Sequence, residues 1–530
     1  MLRLAILSEN AKLRRWEAEC VESLCKIGLT QPMLHFVASP ASGMRERKRS
    51  PLLYERLERS LTRKAVSMQL VDSPLRVIPL DEESVCQQWG GLDVILNFTR
   101  EDVPAEWADI PRFGVWHYEY GEAGWREAIP MLLTNLLSRE EIACIALVRQ
   151  ETSHGQRELL RQGVFATGLY SVVNHWNQLH RFAAEWPAYV CSAIDREGFY
   201  QYQLYGAPSR MAPQQLFTPW TCFRIVIGLL ANKGRRWFKR WFVTEQWNVG
   251  VVREPIQSFL NGVVPEIQWL PKRLNFLADP FGIQVNGQLH ILAEEYDHAS
   301  GKGVITEVIP GNSVGTAYLR RLMEMPFHMS YPYLLEHEGD VYCIPETYQD
   351  NQVSLFKAVQ FPKRWEKAGT LIENIQAVDA TPFHHEGKWW LFCTDESTDS
   401  NSHLYLWHAD ALKGPWKSHP LNPVKLDVRS SRPAGTPFVH RGELFRPAQD
   451  CSQTYGGAVV LNRIIMLTPN DFREEPAVRI APDRKSAYGD GLHTLSAVGG
   501  ITLVDAKAER IDLRVFWLRL TLAMKLKLQR

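Results

Sequence analysis

The alternation of apolar and polar positions changes character along the chain. In the first two hundred residues, short apolar runs at Leu2–Leu7, Met33–Ala38 and Leu92–Phe98 are separated by stretches of helical spacing such as Lys12–Ile27 and Trp125–Leu137. Strands interleaved with helices predict an α/β domain. Further on the period shortens to two. Gln288–Glu294 (QLHILAE) and Lys388–Thr394 (KWWLFCT) read as half-buried strands.

These strands belong to a repeat. Asp279-PFGIQVNGQLHILAE, Tyr331-PYLLEHEGDVYCIPE, Thr381-PFHHEGKWWLFCTDE and Thr436-PFVHRGELFRPAQD each read proline, aromatic, short strand, glycine turn, second strand. The prolines, Pro280, Pro332, Pro382 and Pro437, are spaced by 52, 50 and 55 residues; the turn glycines are Gly287, Gly339, Gly387 and Gly442. A fifth, weaker copy runs from His493 to Ala506 with its turn at Gly499 and Gly500. A hairpin recurring at this interval, with further strands between copies, predicts the blades of an all-β five-bladed propeller.

In a propeller the innermost strands line a funnel, so equivalent positions converge. The residue before each proline gives Asp279, Tyr331, Thr381 and Thr436, with Asp379 two places before Thr381. Counting seven on from each turn glycine gives Glu294, Glu346, Thr394 and Gln449, with Asp450 adjacent. Arg432, Arg446 and His493 fall nearby. Any one of these acids is equally well explained as a strand-end cap; carboxylates at one blade position repeatedly are not. Acids that differ in pKa are what glycosyl chemistry uses to protonate a leaving oxygen and activate an attacking hydroxyl. Asp279, Glu346 and Asp379 are therefore the candidate catalytic residues. Glu294, Tyr331, Arg432, Arg446, Asp450 and His493 are the candidate substrate-binding residues.

The A-D-P-F, I-P-E and D-A-T-P-F…G-K-W-W-L-F motifs resemble the five-bladed furanosidase superfamily of arabinanases and β-xylosidases. The run from Asn275 to Asp505 resembles more closely the N-terminal propeller of glucosamine inositolphosphorylceramide transferases. The furanosidase resemblance implies that Asp279 is a base and that Glu346 or Asp379 supplies the acid or tunes it, although Glu346 ends a second strand where the furanosidase acid usually starts a blade. The second resemblance implies a role in glycolipid assembly. In that family the propeller precedes a separate transferase domain, which this sequence is not expected to carry.

In the N-terminal part, Leu92–Phe98, Arg112–Glu122 and Ser153–Gly163 are similar to the formyltransferase N-terminal domain. The resemblance implies that the chemistry is lost: Trp116 and Tyr118 occupy the motif Asn and His positions, and Ser153 that of the Asp. His117 is one place off, and neighbouring strand positions face opposite ways. No dinucleotide or phosphate-loop glycine motif is present.

The sequence thus predicts a multidomain chain. A formyltransferase-like α/β domain spans 1–204, a basic helical linker 205–245, the propeller 246–510 and a basic amphipathic tail helix 511–530. Phe223–Phe242 carries Arg224, Lys233, Arg235, Arg236, Lys239 and Arg240 among aromatics, and Leu513–Arg530 is Leu-rich with basic charges throughout from Arg514 on. Both read either as helices lying on an anionic membrane or as covers for the propeller.

Bulk numbers add little. At 530 residues, more than one domain is required, and the net charge of +1 offers no reason to expect nucleic acid. The 18 tryptophans suit sugar faces as well as cores. The nine cysteines are scattered without metal spacing, so neither metal nor cofactor is expected. The charged N-terminus is too short for a signal peptide, which leads to the expectation of a cytoplasmic protein, peripheral on the inner membrane face if the basic helices bind lipid. The expected activity is that of a carbohydrate-active enzyme acting on a sugar or glycoconjugate, of glycosyltransferase type. The alternatives are a glycoside hydrolase for a small glycoside, a non-catalytic glycan-binding scaffold, and residual formyl or acyl transfer in the N-terminal half.

Overall fold

The computed structural model describes residues 2–28, 34–38, 52–80, 85, 88–150, 157–198, 203–204, 218–273, 275–297, 300–310, 317–513, 516 and 519. The chain divides into two compact units, Met1–Trp237 and Phe238–Arg530.

The first unit is α/β. Its sheet runs, by strand, 203–204, 158–166, 142–149, 115–120, 94–97, 4–8, 34–38 and 76–80. The five strands from 115–120 to 76–80 are mutually parallel and the rest antiparallel. Alternate residues fill one face: Ala5, Leu7, Ile95 and Val115 pack with Phe36 and Trp89. The helix expected from Lys12 begins at Arg15, because Lys12–Arg14 pairs as a short strand with Leu70–Asp72. Glu17 accepts the Arg14 N–H at 2.7 Å and fixes the helix start. Trp116 and Tyr118 are core residues: the Trp116 indole donates to the Phe113 carbonyl at 2.8 Å and the Tyr118 hydroxyl to that of Ala183 at 2.6 Å. His117, equally buried, meets Glu119 at 2.8 Å. Ser153 lies outside the described residues, as do residues 205–217 of the expected linker. The basic stretch forms a helix, Pro219–Phe242.

The second unit is a five-bladed propeller of antiparallel sheets. Blade 1 comprises 276–285, 288–297, 302–310 and 317–323; blade 2, 330–337, 340–346, 352–360 and 364–373. In blade 3 the strands 377–385, 388–395 and 403–409 are completed by two short pieces, Lys417–Ser418 and Lys425–Leu426, on the same edge. Blade 4 runs 438–440, 443–450, 458–467 and 472–480. Blade 5 is shared between distant segments. Its inner strands are 491–498 and 501–511, and its outer strands, 243–252 and 268–269, precede blade 1. The register between them runs from Val243 opposite Ile511 to Val252 opposite Thr502 and closes the ring. The repeat could not reveal these outer strands, because they stand apart from the hairpin they complete.

The period-two pattern explains the stacking. In blade 3, Trp389, Leu391 and Cys393 join one cluster, which also holds Tyr342 and Ile344 of blade 2. Trp390 and Phe392 turn the other way to pack with Phe472 of blade 4. A single blade therefore has two apolar faces, and only neighbours on both sides cover them.

Candidate active site

Each hairpin places residues at the axis by breaking its own regularity. The first strands of blades 1, 2 and 3 slip register between Ala278 and Phe281, Ser330 and Tyr333, and Val378 and Thr381. At each bulge one residue other than glycine takes the left-handed region: Asp279 (φ 50°), Tyr331 (φ 44°) and Asp379 (φ 53°). Such a conformation costs about 1–3 kcal/mol and clusters at functional sites, and bulges re-aim side chains. Asp379, not Thr381, is thus the counterpart of Asp279. It stands eight residues before its turn glycine, as Asp279 and Tyr331 do, whereas counting from the proline mis-set blade 3 by two. The second-strand slot is filled by Glu294, Glu346, Thr394 and Gln449, and in blade 5 by Lys507, seven after Gly500.

Three networks meet here. Around Asp279, Oδ2 accepts the Tyr331 N–H at 3.2 Å and Oδ1 the Thr494 hydroxyl at 3.2 Å, while His493 Nε2 lies 3.6 Å from Oδ1. His493 Nδ1 contacts Asp505 at 2.6 Å, and its ring stacks on Trp247 at 3.9 Å. Asp505 also accepts the Asp279 N–H at 2.7 Å. Around Asp379, Oδ2 accepts from Arg432 Nε at 2.7 Å and Gln449 Nε2 at 3.1 Å, and the Asp379 N–H donates to Glu346 at 3.1 Å. Arg432 extends to the Tyr455 hydroxyl and lies over that ring at 4.8 Å. Glu294 lies 3.6 Å from His328.

The charges do not balance. Asp279, Glu294, Glu346, Asp379 and Asp505 face two cationic partners, Arg432 and His493. Burial is the first cause of the upward shifts at Asp279, Glu294, Glu346 and Asp379; the cationic partners oppose it and mutual repulsion adds to it. The Asp279 carboxyl is pushed up to about 7, with Asp505 and Asp379 adding to burial against His493. Asp379 is also raised to about 7, burial and Glu346 outweighing Arg432. Glu346 is raised by burial and Asp279. Glu294 is raised well above its ordinary value: burial comes first, then Asp279 and Glu346, and its neighbour His328 is itself driven towards neutrality by burial. Burial pulls His493 down, but Asp505 and Asp279 more than offset it and hold the imidazole above its ordinary value. Raised carboxyls thus stand beside a guanidinium and a raised imidazole, an arrangement suited to holding a proton on one acid beside another that is ionised.

Above this cluster a cavity of about 520 Å³ opens, lined by Glu346, Arg432, His328, Tyr296, Tyr348 and Glu396. A second, of about 760 Å³, is lined by Asp450, Ser452, Arg479, Arg484 and Asp490 among others. Asp450 belongs to the latter, paired with Arg479 at 2.7 Å. Two residues expected to meet substrate are placed elsewhere. Tyr331 is wholly buried, its hydroxyl accepting from the Gly435 N–H at 2.8 Å and contacting Thr381 at 2.9 Å. Arg446 is locked against Glu474 at 2.6 Å and donates to the carbonyls of Ser430 and Ser431, which consumes its guanidinium. Asp505, Trp247, His328 and Tyr455 were not anticipated. Asp505 sits in the fifth copy and was readable there; Trp247 belongs to the closing strand, outside the repeat. Among the described residues, Asp279, His493 and Asp505 also bring ligand-type atoms within 4.8 Å of one another, a geometry that would fit a metal ion.

Fold and site together define a five-bladed propeller with an acid-rich funnel. Residues 266–491 match the family "Glucosamine inositolphosphorylceramide transferase 1, N-terminal". A curated relative of that name from Oryza sativa subsp. japonica is 31% identical over 208 residues, 38% of this chain and 28% of the relative. Its counterpart from Arabidopsis thaliana is 30% identical over 223 residues, 41% of this chain and 28% of the relative. The chain thus spans under a third of the length of these relatives. Among solved structures, a family 117 glycoside hydrolase of Zobellia galactanivorans is similar at 16% identity and a TM-score of 0.30, covering 44% of this chain and 84% of that one. An α-L-arabinofuranosidase of Podospora anserina is similar at 11% identity and a TM-score of 0.31, covering 45% and 91%.

Proposed function

We propose that the propeller funnel carries out glycosyl transfer in the assembly of a glycolipid or related glycoconjugate. The observation that carries this is the surplus of buried carboxyls gathered from separate blades beneath a cavity that Glu346 and Arg432 reach. Glu346, whose carboxyl is raised by burial and lines the cavity, is the acid of this reading: it gives its proton to the leaving oxygen as the bond from the anomeric carbon breaks. Asp279 and Asp379 are the ionisable partners; one takes the proton of the acceptor hydroxyl as the new bond forms, and Arg432 offsets the charge. The similarity of residues 266–491 to the glucosamine inositolphosphorylceramide transferases supports a sugar donor and a sphingolipid or other glycoconjugate acceptor.

The test is transfer of a labelled amino sugar from nucleotide-sugar donors to inositolphosphorylceramide and other glycolipid acceptors, read by chromatography. Asp279→Asn and Glu346→Gln should each lose about 10²–10⁴-fold in rate, with the fold intact. Sugar release without acceptor would instead indicate hydrolysis. One observation favours a binding site without turnover: Asp279 is enclosed by four partners. Glycan affinity with no product from any donor would establish that reading.

For the N-terminal unit we retain a formyltransferase-like scaffold without formyl transfer, supported by the burial of Trp116 and Tyr118 in structural hydrogen bonds. Calorimetric binding of a formyl-tetrahydrofolate analogue would overturn it.

A further inference from the structure

We propose that the helix Pro219–Phe242 docks the protein on an anionic lipid surface. The helix has two apolar faces. One is buried through Cys222, Ile225 and Leu229, and the same side is pinned by Asn232, whose amide donates to the Leu169 carbonyl at 3.1 Å, and by Arg236, stacked over the Tyr170 ring at 3.6 Å. The other consists of Trp220, Phe223, Ile227 and Leu230, spaced three and four apart on one stripe, and these are between 49% and 65% exposed. A helix already packed on one side has no folding reason to set four large apolar side chains along the opposite stripe; contiguous exposed patches of this kind mark interaction sites.

Charge selects the occupant. The helix contains no acidic residue; Arg224, Lys233 and Arg235 lie beside the stripe and Arg240 continues beyond it, while Lys239 pairs with Glu509 at 2.8 Å. A second copy of the chain would bring these like charges together, so self-association through this face is disfavoured. An anionic bilayer accepts both features: aromatic and aliphatic side chains enter the headgroup boundary while the basic side chains meet lipid phosphates. Among the described residues no helix is long and apolar enough to cross a membrane, so the contact is interfacial. The inference is independent of glycosyl transfer, since vesicle binding and turnover are read separately.

The experiment is co-sedimentation of the full chain with vesicles of phosphatidylcholine alone and of phosphatidylcholine with phosphatidylserine. Each basic residue near such a surface contributes about a fivefold factor in affinity, so the triple variant Arg224→Glu, Lys233→Glu, Arg235→Glu should bind anionic vesicles at least on the order of a hundredfold more weakly. Binding by the unaltered chain should fall steeply as salt is raised. The variant Trp220→Ser, Phe223→Ser, Leu230→Ser should lose binding with an unchanged circular dichroism spectrum. If it unfolds, the charge variant, altered only at exposed side chains, decides alone. The proposal is overturned if the unaltered chain ignores anionic vesicles at low salt, or if both variants bind as it does, which would place attachment elsewhere. It is equally overturned if the serine variant abolishes a self-association while vesicle binding is never seen.

Discussion

Two buried charge clusters lie in the same propeller, and they are built on opposite principles. Between blades 3 and 4, Glu474 accepts from Arg446 at 2.6 and 2.8 Å and from Lys425 at 2.7 Å: one carboxylate, two cations, every partner hydrogen-bonded. At the axis, five carboxyls share Arg432 and His493. Burial acts on both. In the first it is outweighed by Arg446 and Lys425, and the Glu474 carboxyl lies below its ordinary value; in the second it is reinforced by like charge, and the carboxyls of Asp279, Glu294, Glu346 and Asp379 are raised. A satisfied cluster holds structure. A cluster left with surplus acid is an energetic cost, and such clusters gather at functional sites.

The largest test of this contrast is to remove one carboxylate from each cluster. Glu474→Gln leaves two buried cations without their counter-ion and should cost about 3–5 kcal/mol of stability. Glu294→Gln replaces a group whose ionisation burial and its acidic neighbours oppose, so denaturant midpoints should be nearly unchanged or higher. Equal losses would show that the axial acids are as structural as Glu474, and the contrast would fail.

A pH titration sharpens it, because the two clusters carry opposite signs. Asp279 binds its proton more tightly folded (about 7) than unfolded (3.8). Its contribution is therefore favourable at low pH and is lost as pH rises from about 4 through about 7. Glu474, lowered on folding, contributes above its unfolded value and is lost as pH falls. Asp279→Asn removes the first dependence, so its stability relative to the unaltered chain should improve between about pH 4 and pH 7. The full shift would correspond to about 4 kcal/mol, but the protons are shared among several acids, and an improvement of about 1–2 kcal/mol is expected. A variant whose stability relative to the unaltered chain stays constant or falls as pH rises would refute the raised carboxyls.

The sequence was most legible where the repeat is most regular. The glycine turns located all five inner hairpins, and seven residues on from them lay Glu294 and Glu346, because a strand of fixed rise carries fixed counts to the axis. Proline was the poorer ruler. In blade 3 it follows the bulge by two residues, so a count from proline hides the equivalence of Asp379 and Asp279. Charge could not be read at all from spacing: Arg446 and Arg432 looked alike along the chain, and only their partners, Glu474 and Asp379, separate a structural guanidinium from one at the cavity. Trp247 was beyond reach because it joins the axis through a strand paired across more than two hundred residues.

The last test concerns the one position in the bulged series that is not an acid. Tyr331 occupies in blade 2 the slot that Asp279 and Asp379 fill in blades 1 and 3, with the same left-handed backbone. The hydroxyl of Thr381 donates to the Asp379 carbonyl at 2.9 Å, so between the two hydroxyls it is Tyr331 that donates to Thr381, while accepting from the Gly435 N–H. Tyr331 thereby ties blade 2 to the loop that leads into blade 4, where a Cβ on Gly435 would collide with the Leu495 carbonyl. Tyr331→Phe keeps the ring and strands a buried N–H, and should cost about 1–3 kcal/mol. If the slot serves structure in blade 2 and chemistry in blades 1 and 3, this variant should lower the denaturation midpoint while changing turnover far less than Asp279→Asn. A loss of rate as deep as that of the aspartate variant, with stability unchanged, would instead place the Tyr331 hydroxyl among the reacting groups and erase the distinction between the blades.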